Sequence, residues 1–388
     1  MQSELVHDPG GEVAMVDCGP WRYGVVRTFG SVRGWLGAAL PVAVALVATP
    51  MITGGQSAPT WPPPTLRDTG LYSDWATKTV AAENLLYSPQ YPLWTDGARK
   101  SRWLRIPKGT FIDASNPDVW RFPEGTRVWK EFRFGRRAET RFIERTRAGW
   151  QFASYVWNED ETEAPLAPEL GISQSVPIRD GIRHAIPSRI DCRVCHEAGP
   201  VRLLGVTTLQ LSPDRDPNAP HAEALPPGAV NLPALVARGL VRGLPARLTA
   251  TPPRIIARSP TARAALGYLN GNCGGCHTGL GQLSSLDFAL NYPFNRAESE
   301  AAPALLTTVG HMSKFRVPAA PDTVERVCAG HPERSVLVAR MSSRNPLVQM
   351  PPLGTQIVDE EAVNLIRRWI SEDTGSPEPA PAAREQQR

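Results

Sequence analysis

Cys192-Arg193-Val194-Cys195-His196 recurs as Cys273-Gly274-Gly275-Cys276-His277, so two C-x-x-C-H pentapeptides hold four of the six cysteines in the chain. Two thiols separated by two residues can reach the two vinyl groups on one edge of a porphyrin. A histidine directly after the second thiol is then held under the iron as its proximal ligand. The spacing therefore predicts two covalently bound haem c groups, with Cys192, Cys195, Cys273 and Cys276 as attachment points and His196 and His277 as iron ligands. A zinc ribbon would bring its cysteine pairs closer in sequence than Cys195 and Cys273, and would not ask for a histidine after each pair. A thioredoxin-like pair would occur once and without that histidine.

Haem c is attached outside the cytoplasm, and the N-terminus has the matching order of features. Arg22, Arg27 and Arg33 precede an uncharged run from Gly34 to Ala48, and the small polar stretch from Thr53 to Ala58 follows. This predicts a signal peptide over residues 1–58, with Met15 the better start because Asp8, Glu12 and Asp17 suit a basic leader poorly. The expected localisation is periplasmic. The alternative is an uncleaved anchor extending toward Ile52, which Pro41, Pro50 and the weak hydrophobicity of Ala and Gly oppose. A membrane partner is expected only in that case. The formal net charge of +4 gives no reason to expect nucleic acid, and the Arg and Lys residues between 99 and 147 are expected to be solvated strand faces rather than a docking patch.

The 39 prolines favour short elements and loops. Trp61-Pro62-Pro63-Pro64 is expected to be a stiff exposed tether, and Leu71 to Leu86 to hold one short helix. From Ser101 to Glu159 the pattern has period two: Val128, Phe132 and Phe134 alternate with Trp129, Glu131 and Arg133, and Arg147-Ala148-Gly149 marks a turn. This predicts an antiparallel β-domain over 59–185. Trp94, Trp103, Trp120, Trp129, Trp150 and Trp157 are expected mainly in its half-buried core, a ligand platform for a sugar or cell-wall component being the competing use. Residues 186–254 form a loop-rich first haem segment, with a helix expected from Leu232 to Val241 capped by Asn231.

The segment 255–375 has the clearest pattern. Ser259-Pro260 is an N-cap followed by proline at the first helical position, and Ala262, Ala265, Leu266 and Leu269 form a stripe running to Cys273. Asp359 caps a last helix whose buried face is Val363, Ile366, Trp369 and Ile370. Helix, haem motif, loops and a final helix with an inward Trp resemble the layout of a class I cytochrome c domain. The expected fold class is therefore α+β and multidomain, an antiparallel β-domain followed by a mainly α, cytochrome c-like haem domain, with a disordered tail over 376–388.

Met350 lies in Gln349-Met350-Pro351-Pro352-Leu353-Gly354, between the second motif and the last helix, where two prolines stiffen the loop. It is expected to give its thioether to the second iron; the alternative is packing on the haem edge. No Met occurs between His196 and Met312, so the distal ligand of the first haem is open among His184, His221, His311, Met312, His331 and Met341. Cys328 is expected to be a buried free thiol.

Several stretches together resemble a family of exported bacterial proteins of uncharacterised function that join an N-terminal β-rich region to a C-terminal cytochrome c domain. They are Tyr91 to Ala98, Phe122 to Thr126, Pro187-Ser188-Arg189, Tyr268 to Asn272, His331 to Ser335 and Met350 to Gly354. The resemblance implies haem binding and electron transfer, and assigns Met350 to the second haem. Two functions compete: a dihaem electron carrier exchanging electrons with periplasmic redox proteins, and a peroxidase-like dihaem enzyme using an open first haem. The dihaem peroxidases set both motifs in cytochrome c folds, whereas here only the second has the full helix-to-helix frame.

Overall fold

The structure, a computed structural model, describes residues 61–296, 301–318 and 320–375. The expected signal segment 1–58, with Cys18, and the expected tail 376–388 lie outside these residues. The chain has the expected mixed α+β content.

Where a helix is expected near Leu71–Leu86, the chain instead makes short strands β1 (Tyr72–Asp74), β2 (Thr79–Val80) and β3 (Leu85–Leu86). Asp74 explains the difference. Its carboxylate accepts from the backbone N–H of Ala76 at 2.8 Å and of Thr77 at 3.2 Å, and Lys78 turns the chain at φ +56°. A side chain that satisfies nearby amides in this way favours a turn over a helix. The prolines before it are no free tether either: Pro63 O accepts from the Tyr155 hydroxyl at 2.9 Å, and Pro64 O from the Leu166 N–H at 3.0 Å.

The main sheet is antiparallel. Its order is β3, β4 (Arg99–Arg105), β6 (Arg127–Phe134), β7 (Arg136–Thr146) and β8 (Gly149–Val156), with the small strand β5 (Ile112–Asp113) inserted between β4 and β6 in sequence. The expected turn joins β7 to β8, and Gly149 takes φ +120° there. Both faces of the sheet are covered. On one, Trp103, Trp129, Phe142, Ala153 and Tyr155 pack with Leu66, Leu71 and Trp157. On the other, Leu104 and Val128 join Leu203, Val206, Leu211 and Val230 from the segment that follows the first C-x-x-C-H motif. Trp103, Trp120, Trp129 and Trp157 are buried and Trp94 and Trp150 partly so; this is the expected sheet core rather than an exposed platform.

After the hairpin of β9 (Pro177–Arg179) and β10 (Ile182–Arg183) comes α1 (Arg189–His196), then α2 (Leu232–Ala237), β11 (Val241–Arg242) and α3 (Ala246–Ala250). α2 is shorter than expected. Asn231 caps it as read, accepting from Ala234 N at 3.0 Å, but Gly239 at φ +67° ends it and Val241 continues as a strand parallel to β5.

The remaining helices are α4 (Pro260–Asn272), α5 (Pro303–Thr308), α6 (Val336–Met341) and α7 (Glu360–Asp373). The caps of α4 and α7 form as expected: Ser259 Oγ accepts from Ala262 N at 3.0 Å, and Asp359 Oδ1 from Ala362 N at 3.1 Å. Ala262, Ala265, Leu266 and Leu269 of α4 share one core with Val363, Ile366, Trp369 and Ile370 of α7. Each large side chain removed from water there contributes roughly 1.5–3 kcal/mol. The same core takes in Tyr91, Leu209 and Ala219 from far earlier in the chain.

Candidate haem-binding site

The two pentapeptides, more than seventy residues apart in the chain, meet in space. Cys276 Sγ lies 3.9 Å from the carbonyl of Val194, and the Cys195 and Cys276 thiols are close enough to perturb each other. Glycines make the approach possible. A Cβ on Gly199 would fall 2.6 Å from Gly275 O, and one on Gly281 2.4 Å from Ala198 O, inside any real contact. One cleft of about 2510 Å³, part of it open to solvent, is lined by all four motif cysteines, His196, His277 and Met350.

α1 delivers the first motif. Ser188 and Asp191 form a reciprocal capping box at its N-terminus, with Asp191 N donating to Ser188 Oγ at 3.0 Å and Ser188 N donating to Asp191 Oδ2 at 2.9 Å. No residue of α1 is fully buried, but Cys192, Cys195 and His196 are half-buried where they line the cleft. The imidazole of His196 is set by its backbone surroundings: Nδ1–H donates to Arg202 O at 2.6 Å, which leaves the Nε2 lone pair for a metal. Phe152 of β8 packs on the ring at 5.2 Å.

The second motif follows directly from α4. Cys273 is the C-cap, its N–H donating to Leu269 O, and the Gly274 and Gly275 backbones pass against Asn270 and Leu204 where a Cβ would not fit. The His277 ring lies edge-on to Phe288 at 4.7 Å, and its Nδ1 is buried without a hydrogen-bond partner. Burial pulls both histidines down to about 4, so each is the neutral imidazole that binds metal at neutral pH. Burial pushes the thiols of Cys192 up to about 11 and Cys273 up to about 12. The mutual interaction of the neighbouring Cys195 and Cys276 thiols lowers the first and raises the second.

Met350 is held by the turn before it. Met350 N donates to Arg340 O at 3.0 Å, Arg340 Nε donates to Val348 O at 2.8 Å, and Gln349 Nε2 donates to Pro352 O at 3.1 Å. The stretch Tyr91–Ala98, read in sequence only as part of a resemblance, braces this region. Trp94 N donates to Asn272 Oδ1 at 2.7 Å, and Trp94 Nε1 to Ile357 O at 3.1 Å. Asp96 Oδ1 accepts from the N–H groups of Gln356 and Ile357, each at 2.8 Å. Both ends of the second motif's frame are thus tied to one segment of the β-rich region.

Of the six residues considered for the far side of the first haem, Met341 alone lines the cleft. It packs into the α4–α7 core. His184 pairs with Glu139 at 3.2 Å, His221 with Asp359 at 2.8 Å and His331 with Glu333 at 3.2 Å, while Met312 is exposed. Cys328 is buried and free, as expected.

The expectation of solvated basic strand faces fails for Arg102, Lys130 and Arg141. Arg102 is 3% exposed, and all three line the cleft. They stand on the inward face because they share it with Leu104, Val128 and Ile143, two positions along each strand. That phase was the available signal.

Among the described residues, no cluster of three or more His, Cys, Asp or Glu side chains could hold a metal ion by itself, and no helix is long and apolar enough to cross a membrane. No family model, curated protein or solved structure matches the chain.

Proposed function

We propose that this protein is an exported dihaem c-type electron carrier. Cys192, Cys195 and His196 would hold one haem c, and Cys273, Cys276, His277 and Met350 the other. The observation that carries this reading is the convergence of both pentapeptides and Met350 on one cleft, with two neutral imidazoles on its walls. The residues present fit the group: the His196 Nδ1–H bond to Arg202 O fixes the tautomer that a proximal ligand needs.

A bound haem supplies reversible one-electron chemistry, its potential tuned by axial ligand, burial and nearby charge. The chain's own residues fix the imidazoles, keep the cleft walls largely apolar through Leu203, Leu204, Phe288 and Leu290, and offer a soft thioether from Met350. α4, the second motif, the Met350 loop and α7 support a class I cytochrome c-like reading of residues 255–375. Since the motifs touch, electrons would enter and leave through groups held side by side, exchanged with periplasmic redox proteins.

The alternative, a peroxidase-like enzyme with an open first iron, is favoured by one observation. Five of the six candidate distal ligands lie off the cleft, and Met341 belongs to the core beside the second motif.

Intact mass of protein matured with a haem-attachment system tests the main reading. Two haem additions are expected, one lost in Cys192→Ala/Cys195→Ala and the other in Cys273→Ala/Cys276→Ala; a bare polypeptide mass overturns it. Electron paramagnetic resonance of the oxidised protein separates the alternatives. Two low-spin signals indifferent to peroxide support the carrier, and a high-spin signal consumed by peroxide supports the enzyme.

A further inference from the structure

Arg102, Lys130 and Arg141 are direct cross-strand partners on β4, β6 and β7, and Ser154 on β8 completes the row. Like charges facing one another across strands destabilise a sheet, and these three do so on the face that lines the cleft. Lys100 lies one step along the same face; burial and the neighbouring arginines bring its ammonium down to about 7. Two carboxylates answer the four cations. Glu223 bonds Arg102 at 3.0 Å, and Glu139 bonds Arg141 at 2.5 Å while also facing His184 at 3.2 Å.

Lys130 has no hydrogen-bond or ion-pair partner among the described residues, and its Nζ sits 4.8 Å from the Phe132 ring centroid; desolvation and the neighbouring Arg102, Lys100 and Arg141 hold it well below the usual lysine range, so its charge awaits a negative partner. Arg102 Nη2 and Ser154 Oγ are both buried without a hydrogen-bond partner. Arg102 and Ser154 are buried and Lys130 and Arg141 half-buried, and two buried polar atoms without a partner beside an unpaired amine are unfavourable in such a row. A negative group with acceptor oxygens would remove that cost. Arg102, Lys130 and Arg141 line the same cleft as Cys192, Cys195 and His196.

We propose that Arg102, Lys130 and Arg141 form a binding site for a carboxylate-class oxyanion beside the first C-x-x-C-H motif. The carboxylate has two possible sources, a propionate of a haem held in the cleft or a free carboxylate that enters it. The first source rests on the dihaem reading and the second does not.

The test uses the full chain matured with haem, its loading checked by intact mass, and the variants Arg102→Gln and Lys130→Met. Lys130→Met leaves the Arg102–Glu223 pair intact and keeps the test readable should Arg102→Gln fold poorly. Each haem is titrated optically for its potential with and without formate. If the source is a propionate, both variants lower the potential of one haem, shifting its ferrous-to-ferric ratio at least tenfold at fixed potential, about 59 mV for one electron; formate then changes nothing. If the source is a free carboxylate, formate shifts one wild-type haem, and the variants need at least tenfold more of it. Variants indistinguishable from wild type in both potential and formate response overturn the site. Should the mass be that of the bare chain, the dihaem reading has failed separately, and melting with formate decides the site: stabilisation of wild type but not of the variants supports it, and equal responses overturn it.

Discussion

The two C-x-x-C-H motifs share a cleft but are held in opposite ways. The second follows a helix with a continuous run of buried residues from Ala262 to Leu269, locked against α7 by Trp369 and Ile370. The first rides on α1, none of whose residues is fully buried and which packs against β8 of the main sheet. One motif is therefore framed by apolar helix packing and the other by a charged sheet face. The difference teaches that equal coordination chemistry can be placed by unequal scaffolds, with the less packed one more open to tuning by charge.

The largest expected effect lies in the helical frame. Trp369→Ala should cost about 3–5 kcal/mol of stability, the usual range for emptying a fully buried aromatic site, read as a shifted denaturation midpoint. A comparable loss from truncating Ile190 on α1, which is exposed, would erase the contrast between the two motifs.

Next come the two histidines, alike in both regions. In chain prepared without haem, each is pulled from the ordinary 6.5 to about 4. Above 6.5 both folded and unfolded imidazoles are neutral and nothing is lost. As pH falls from 6.5 to 4 the unfolded chain takes up protons that the folded chain refuses, so stability declines, by up to about 3 kcal/mol per histidine. Denaturant titrations across this window should show the decline halved in a His196→Phe or His277→Phe variant; a flat profile would remove the buried, neutral state assigned to both.

Gly267→Ala should cost about 1–3 kcal/mol, because the new Cβ would fall 2.0 Å from Tyr91 Cε1, a clash that outweighs the helix propensity gained by replacing Gly. Thermal melting checks it. Tyr91→Ala should restore room in the double variant, giving clear non-additivity.

The smallest effects sharpen the comparison most. Ser259→Ala and Ser188→Ala each remove a helix cap that is typically worth about 1 kcal/mol. At α4 the loss should appear in global stability. At α1, none of whose residues is fully buried, it should appear as faster amide exchange confined to the Cys192–His196 turn with little change in the melting temperature. Equal global losses would show that α1 is as tightly coupled to the core as α4.

Much of the helical frame was legible in the chain itself, since caps at Ser259 and Asp359 and stripes of period 3.6 are local and mutually consistent signals. The strands from Arg99 to Val156 were legible for the same reason. Leu71–Leu86 was not: Asp74 captures the amides of Ala76 and Thr77, and that turn defeats a weak helical pattern. Nor can period two alone say that both sheet faces are covered: Leu203, Val206 and Leu211 pack on the face that carries Arg102, Lys130 and Arg141.

What the residues determined by themselves is the chemistry on offer: two thiol pairs each followed by an imidazole, a thioether stiffened by prolines, and helices whose ends are written into their caps. These are properties of short spans, where a few neighbours set the backbone. Tertiary structure alone decided that Cys195 would lie near Cys276, that Trp94 and Asp96 would brace the loop beyond Met350, and that a cationic row would share a cleft with the first motif. Such juxtapositions depend on close packing between segments tens to hundreds of residues apart, where a missing Cβ at Gly199, Gly267 or Gly275 decides how near two backbones can come.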